Sequence, residues 1–113
     1  MEDDVRKHLH DILEACRLIE RFTDGKTLED YRGDSMLRSA VERQFQIIGE
    51  ALQQMLRRFP STSMLITDHR SIINFRNILV HGYDRVDDEV VWGVVKGSLP
   101  LLHKEVDAIL NGS

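Results

Sequence analysis

An all-α domain, an up-and-down bundle of four to five helices, is what this sequence predicts. Apolar residues recur every three or four positions along most of its length. Capping residues and helix breakers divide the chain into segments of helical length. Val90-Val91-Trp92 alone could pass for a strand, and no partner strand accompanies it. At 113 residues, 42% of them hydrophobic, the chain is expected to form one domain, 1–113, around a single modest core. A charged fraction of 30% with only two prolines argues against disorder.

Val5, Leu9, Ile12, Cys16, Ile19 and Phe22 lie on one helical face, so a first helix is expected over residues 3–23, closed by Gly25. Thr27-Leu28-Glu29-Asp30 has the form of a capping box and predicts one short helical turn before Gly33. Asp34 is placed to cap a second long helix, which Pro60 should end. Its apolar face reads Leu37, Ala40, Val41, Phe45, Ile48, Leu52, Met55, Leu56 and Phe59. Gly49 interrupts that helix at a cost of about 1 kcal/mol relative to alanine, which makes sense if another helix packs closely across it. Residues 61–67 read as a loop with one turn around Met64-Leu65-Ile66.

Asp68 is expected to cap the next helix, with Ile72, Phe75 and Leu79 facing inward and Gly82 ending it near His81. Asp87 or Asp88 should cap a helix carrying Val90, Val91, Val94 and Val95. Valine is an indifferent helix former, but the acidic cap and the lack of a partner strand favour helix here. Gly97-Ser98-Leu99-Pro100 should break or kink the chain at Pro100. A last amphipathic helix follows through Leu102, Val106, Ile109 and Leu110, closed by Gly112.

Several chemistries are not called for. His8, His10, His69 and His103 show no metal-ligand spacing with cysteine or carboxylate partners. No glycine-rich loop follows a strand, so nucleotide cradles of the P-loop or dinucleotide type are not expected, and neither is a cofactor. The single cysteine, Cys16, sits on an apolar stripe and reads as a buried small hydrophobe. It also excludes an internal disulfide and fits a reducing compartment. No apolar run approaches the ~20 residues of a membrane span, and Met1-Glu2-Asp3-Asp4 is unlike a signal peptide. A cytoplasmic protein without a membrane partner is therefore expected.

The net charge of −4 is unevenly spread. Residues 35–76 hold six basic groups, all arginine, against three acidic ones, while both flanking parts are acidic. Arginine matches phosphate geometry better than lysine, so an anionic ligand should seek the middle of the chain. That part ends at Arg76-Asn77-Ile78-Leu79-Val80-His81-Gly82-Tyr83, which sets a permanent cation, a group that titrates near neutrality and a phenol close together. At about 100° per residue, Arg76 and His81 are about 140° apart, whereas Tyr83 would fall almost under Arg76 if the helix continued. Two side chains so divergent do not form a site within one chain. Two copies meeting across a dimer axis could form one. The same residues also fit a plain helix end, with His81 complementing the dipole and Arg76 as surface charge.

Arg-x-x-x-x-His-x-Tyr at the end of a late helix in a small all-α chain resembles the HEPN superfamily, and within it the HepT-type toxins of HepT–MNT toxin–antitoxin systems. Ile19-Glu20-Arg21-Phe22-Thr23 is similar to the family's first-helix ending and Ile47-Ile48-Gly49-Glu50-Ala51 to its second-helix core. Val90-Val91-Trp92 and Leu99-Pro100 follow in the family's order. The resemblance implies a homodimer joined through the motif-bearing helix and acting as a metal-independent endoribonuclease toxin of a type VII-like pair. His81 from each protomer would serve as acid or base, Arg76 would hold the phosphate, and Asn77 would orient the phosphate or His81. The resemblance also implies an MNT nucleotidyltransferase antitoxin that transfers AMP to Tyr83. The alternative is a non-catalytic helical module that binds a nucleotidyltransferase or its nucleotide, which the acidic overall surface keeps open.

Overall fold

The computed structural model describes residues 3–82 and 86–112. In chain order it has α1 (Asp3–Thr23), α2 (Leu28–Arg32), α3 (Ser35–Arg58), a 3-10 helix (Pro60–Leu65), α4 (His69–His81), α5 (Asp88–Lys96) and α6 (Ser98–Asn111). The all-α expectation holds, with five helices of nine residues or more and the single turn of α2 as a sixth. Local chemistry accounts for most boundaries. The Thr27–Asp30 capping box is formed at both ends, at 2.9 and 3.1 Å. An Asp34 side-chain oxygen accepts from the Leu37 N–H at 3.0 Å, and an Asp87 side-chain oxygen accepts from the Glu89 N–H at 2.9 Å. Gly25 and Gly112 end α1 and α6 with φ of 71° and 70°, backbone that glycine adopts without a Cβ penalty.

Two boundaries differ from the sequence expectation. Asp68 precedes α4 but makes no side-chain cap; only its carbonyl serves, accepting from the Ile72 N–H at 3.0 Å. Its φ of −99° and ψ of 27° lie outside the extended region from which an N-cap side chain usually reaches back. Pro100 does not break the chain. It is the third residue of α6, in the first turn, where backbone N–H groups have no helical partner and a missing one costs nothing. The interruption belongs to Gly97 alone, whose N–H still bonds the Gly93 carbonyl at 2.9 Å. Residues 61–65, expected as a loop with one turn, form most of the 3-10 helix that Pro60 opens.

α3 is the central element: α1 and α4 both pack on it, α6 packs on α1, and α5 packs on α6 and α2. Leu9, Ile12 and Ile19 of α1 meet Ile48, Leu52 and Met55 of α3 in a core from which water is excluded. Each such side chain contributes roughly 1.5–3 kcal/mol by burial. Val90-Val91-Trp92 is helical, with Val91 and Val95 turned inward. The α3–α4 contact positions the candidate site. Phe45 and Phe75 meet edge to face at 5.1 Å, and Ile72 and Leu79 extend that seam.

Candidate active site

With Ile72, Phe75 and Leu79 committed to the core, the neighbouring residue 76 is turned to the flank of the α3–α4 contact. There the stem of Arg76 lies in the notch that Gly49 leaves in α3. Any Cβ at residue 49 would fall far inside the van der Waals radius of the Arg76 Cβ and Cγ. The expected close approach at Gly49 is therefore present, and the group that comes close is the arginine itself. Arg76 Nη2 donates to Glu50 Oε1 at 3.3 Å and Nη1 donates to Asn77 Oδ1 at 3.1 Å, while the buried Nε has no partner among the described residues. Only 18% of the side chain is exposed.

A guanidinium has five N–H donors in a fixed plane. Among the described residues two are used and one is enclosed, which leaves one donor on each terminal nitrogen for an anion. The Glu50 contact is longer than the ~2.7–2.9 Å of a strong charge-assisted bond, so a phosphate can compete for the same cation. Glu50 had no role in the sequence reading. Its signals were its place within Ile47-Ile48-Gly49-Glu50-Ala51, the stretch quoted for the resemblance, and a helix whose outer face is otherwise free of acid for two turns on each side.

His81 is the last residue of α4 and is exposed. Gly82 follows with φ −75°, so it ends the helix without a left-handed turn; its N–H bonds the Ile78 carbonyl at 2.6 Å. The reason for glycine there is proximity, since a Cβ would run into that same carbonyl. Asn77 contacts Arg76 through its carbonyl oxygen and keeps its amide N–H groups for another partner. Arg76 and Asn77 are thus brought together, and His81 stands at the helix end with Ile78 and Val80 exposed beside it. Tyr83, expected to carry the modification, lies outside the described residues.

The other titratable groups singled out in the sequence are placed elsewhere. His103 Nδ1 is 2.7 Å from Glu20 Oε1, joining α6 to α1. His8 lines a groove of about 290 Å3 between α1 and α3. Cys16 is fully buried, and desolvation, aided by the Glu20 charge, pushes its thiol up to about 12. The folded chain holds the neutral thiol and the unfolded chain ionises near pH ~8.5, so this contribution is complete below ~8.5 and is lost as pH rises toward about 12. At pH 8, labelling of Cys16 by a thiol reagent is expected only as fast as the chain unfolds; rapid labelling of the native protein would contradict its burial.

The family model described as "Ribonuclease HepT-like" matches residues 12–109. A protein of Thermococcus cleftensis with the description "Probable ribonuclease HepT" is 37% identical over 86% of this chain and 87% of its own length. A "Putative RNase" of Methanocaldococcus jannaschii is 32% identical over 94% of this chain and 96% of its own. A second protein of that organism, "Gamma-glutamylcyclotransferase and putative RNase", is 36% identical over 97% of this chain, which spans 49% of its length. No solved structure matches the chain.

Proposed function

The chain belongs to the HepT-like ribonuclease family, and on that premise we propose that it is a metal-independent endoribonuclease whose Arg76, Asn77 and His81 act at a site shared between two copies. The observation that carries this reading is the state of Arg76. Its stem is fixed against Gly49 and its head is held by Glu50 and Asn77, yet among the described residues two donors have no partner and can receive a phosphate. In the proposed reaction the RNA 2′-oxygen attacks the adjoining phosphorus and the 5′-oxygen leaves, giving a 2′,3′-cyclic phosphate. One His81 takes the 2′-proton and the other protonates the leaving oxygen, roles suited to an imidazole near neutral pH. Arg76 offsets the charge that grows on the phosphate oxygens.

The shared site is supported by the divergence of Arg76 and His81 around α4 and by the exposed Ile78 and Val80 next to His81. Two copies of α4 meeting there would cover apolar surface and bring two histidines together. The test is RNA cleavage in EDTA by the wild type and by His81→Ala. Equal cleavage by both would sink the proposal, and loss of all cleavage in EDTA would point to a metal instead.

The toxin–antitoxin pairing is part of the same proposal. An MNT nucleotidyltransferase would transfer AMP to Tyr83, setting a bulky anion beside the cations that bind RNA. Coexpression with such an enzyme is expected to add AMP-sized mass to the wild type and none to Tyr83→Phe. An increment that persists in Tyr83→Phe would remove the assignment. A non-catalytic module that binds the nucleotidyltransferase would instead copurify with it and leave RNA intact.

A further inference from the structure

Arg43, Glu50 and Arg57 are spaced by seven residues on α3, two helical turns or about 10.5 Å apart and within about 20° of one line. The line faces outward, because Val41, Phe45, Ile48, Leu52 and Met55 occupy the opposite, buried side. Arg43 and Arg57 are exposed, and among the described residues neither makes an ion pair or a side-chain hydrogen bond. Their helical neighbours explain why. Ser39, Ala40, Gln46 and Ile47 surround Arg43, and Gln53, Gln54, Pro60 and Ser61 surround Arg57, so no carboxylate stands at i±3 or i±4. The nearby arginines are already engaged: Arg58 pairs with Asp4 at 3.0 Å and Arg38 bonds the Arg32 carbonyl. The one acid on the line, Glu50, is taken by Arg76.

The result is a ridge on which Arg76 reaches the midpoint from the α4 side, with an arginine two turns away in each direction that pairs with no carboxylate among the described residues. This is a concentration of positive charge on a chain of net charge −4. We infer that this ridge is the track for a single RNA strand: Arg76 takes the scissile phosphate, and Arg43 and Arg57 take phosphates on either side of it. The spacing suits this, since about 10.5 Å corresponds to roughly three stacked nucleotides at ~3.4 Å each. It also explains why Glu50 is tolerable in an anion site. Its charge is spent on fixing Arg76, and the flanking cations restore a positive field along the strand.

The inference rests on the ribonuclease reading for its substrate, but its test need not. Binding of a fluorescent single-stranded DNA oligonucleotide, which the 2′-hydroxyl mechanism cannot cut, is measured against salt concentration. Arg43→Gln and Arg57→Gln are each expected to reduce the slope of log affinity on log salt by about 0.7, and the double variant by about 1.4. In RNA cleavage these variants should raise KM severalfold and leave kcat unchanged, because neither arginine touches the reacting phosphate. Lys104→Gln, an exposed cation on α6, serves as the control with the wild-type slope.

Wild-type slopes and KM in the double variant would overturn the track while leaving the ribonuclease reading intact. A wild type that binds the DNA strand with the expected slopes but cuts no RNA would overturn the activity and keep the track. Unchanged nucleic-acid binding with loss of a copurifying protein would assign the ridge to a protein partner and refute the inference.

Discussion

His81→Ala is expected to lower RNA cleavage by about 10²–10⁴-fold, the usual contribution of a positioned general acid or base. The loss should appear in kcat with little change in KM, because in the proposed mechanism the imidazole moves protons and Arg76 holds the phosphate. Stability should hardly change, since His81 is exposed at the end of α4 and no core contact depends on it. Circular dichroism and a melting curve alongside the cleavage assay separate the two effects. If two histidines serve one scissile bond, mixed dimers of wild-type and His81→Ala chains should be as impaired as the variant itself. Half-activity in the mixed dimer would mean that each chain carries a complete site, contrary to the shared arrangement.

Gly49→Ala is expected to damage both the fold and the site. Alanine would gain about 1 kcal/mol of helix propensity over glycine. Against this, the new methyl would occupy the space of the Arg76 Cβ and Cγ. The Arg76 Cβ is fixed to the α4 backbone, so no rotamer change removes the clash and α3 and α4 must part. Overpacking of this kind costs about 1–3 kcal/mol, which gives a small net loss of stability. The effect on activity should be larger. A shift of about 1 Å in a positioning group costs ~10²-fold in rate. Gly93→Ala is the matched control, because a Cβ at that exposed helical glycine would meet nothing within 4 Å. That variant is expected to gain roughly 0.5–1 kcal/mol and keep full activity. A Gly49→Ala protein as stable and as active as Gly93→Ala would show that the notch plays no part.

The helices themselves were legible from sequence, because what specifies them is local. A 3.6-residue period of apolar side chains marks each buried face, and Thr27, Asp34, Asp87, Gly25 and Gly112 sit within a few residues of the backbone groups they serve. Where local rules misled, as at Asp68 and Pro100, the competing influences were equally local: a backbone dihedral outside the capping range and a place in the first helical turn. The candidate residues Arg76, Asn77 and His81 could also be picked out, since their types and spacing carry the resemblance.

The partners of those residues could not be read in this way. Glu50 meets Arg76 across 26 positions of sequence, and Gly49 receives its stem across a similar interval. Nothing periodic links such positions; they meet only because the Phe45–Phe75 seam docks α4 on α3 in one register. By itself the sequence determined the helical content and most helix ends, consequences of short-range backbone chemistry, and it marked Arg76, Asn77 and His81 as candidates for a site. The tertiary structure alone decided how Arg76 is held, which donors it keeps free and that its cation joins a line with Arg43 and Arg57. Those are properties of side chains from different helices sharing one place, and only packing brings them there.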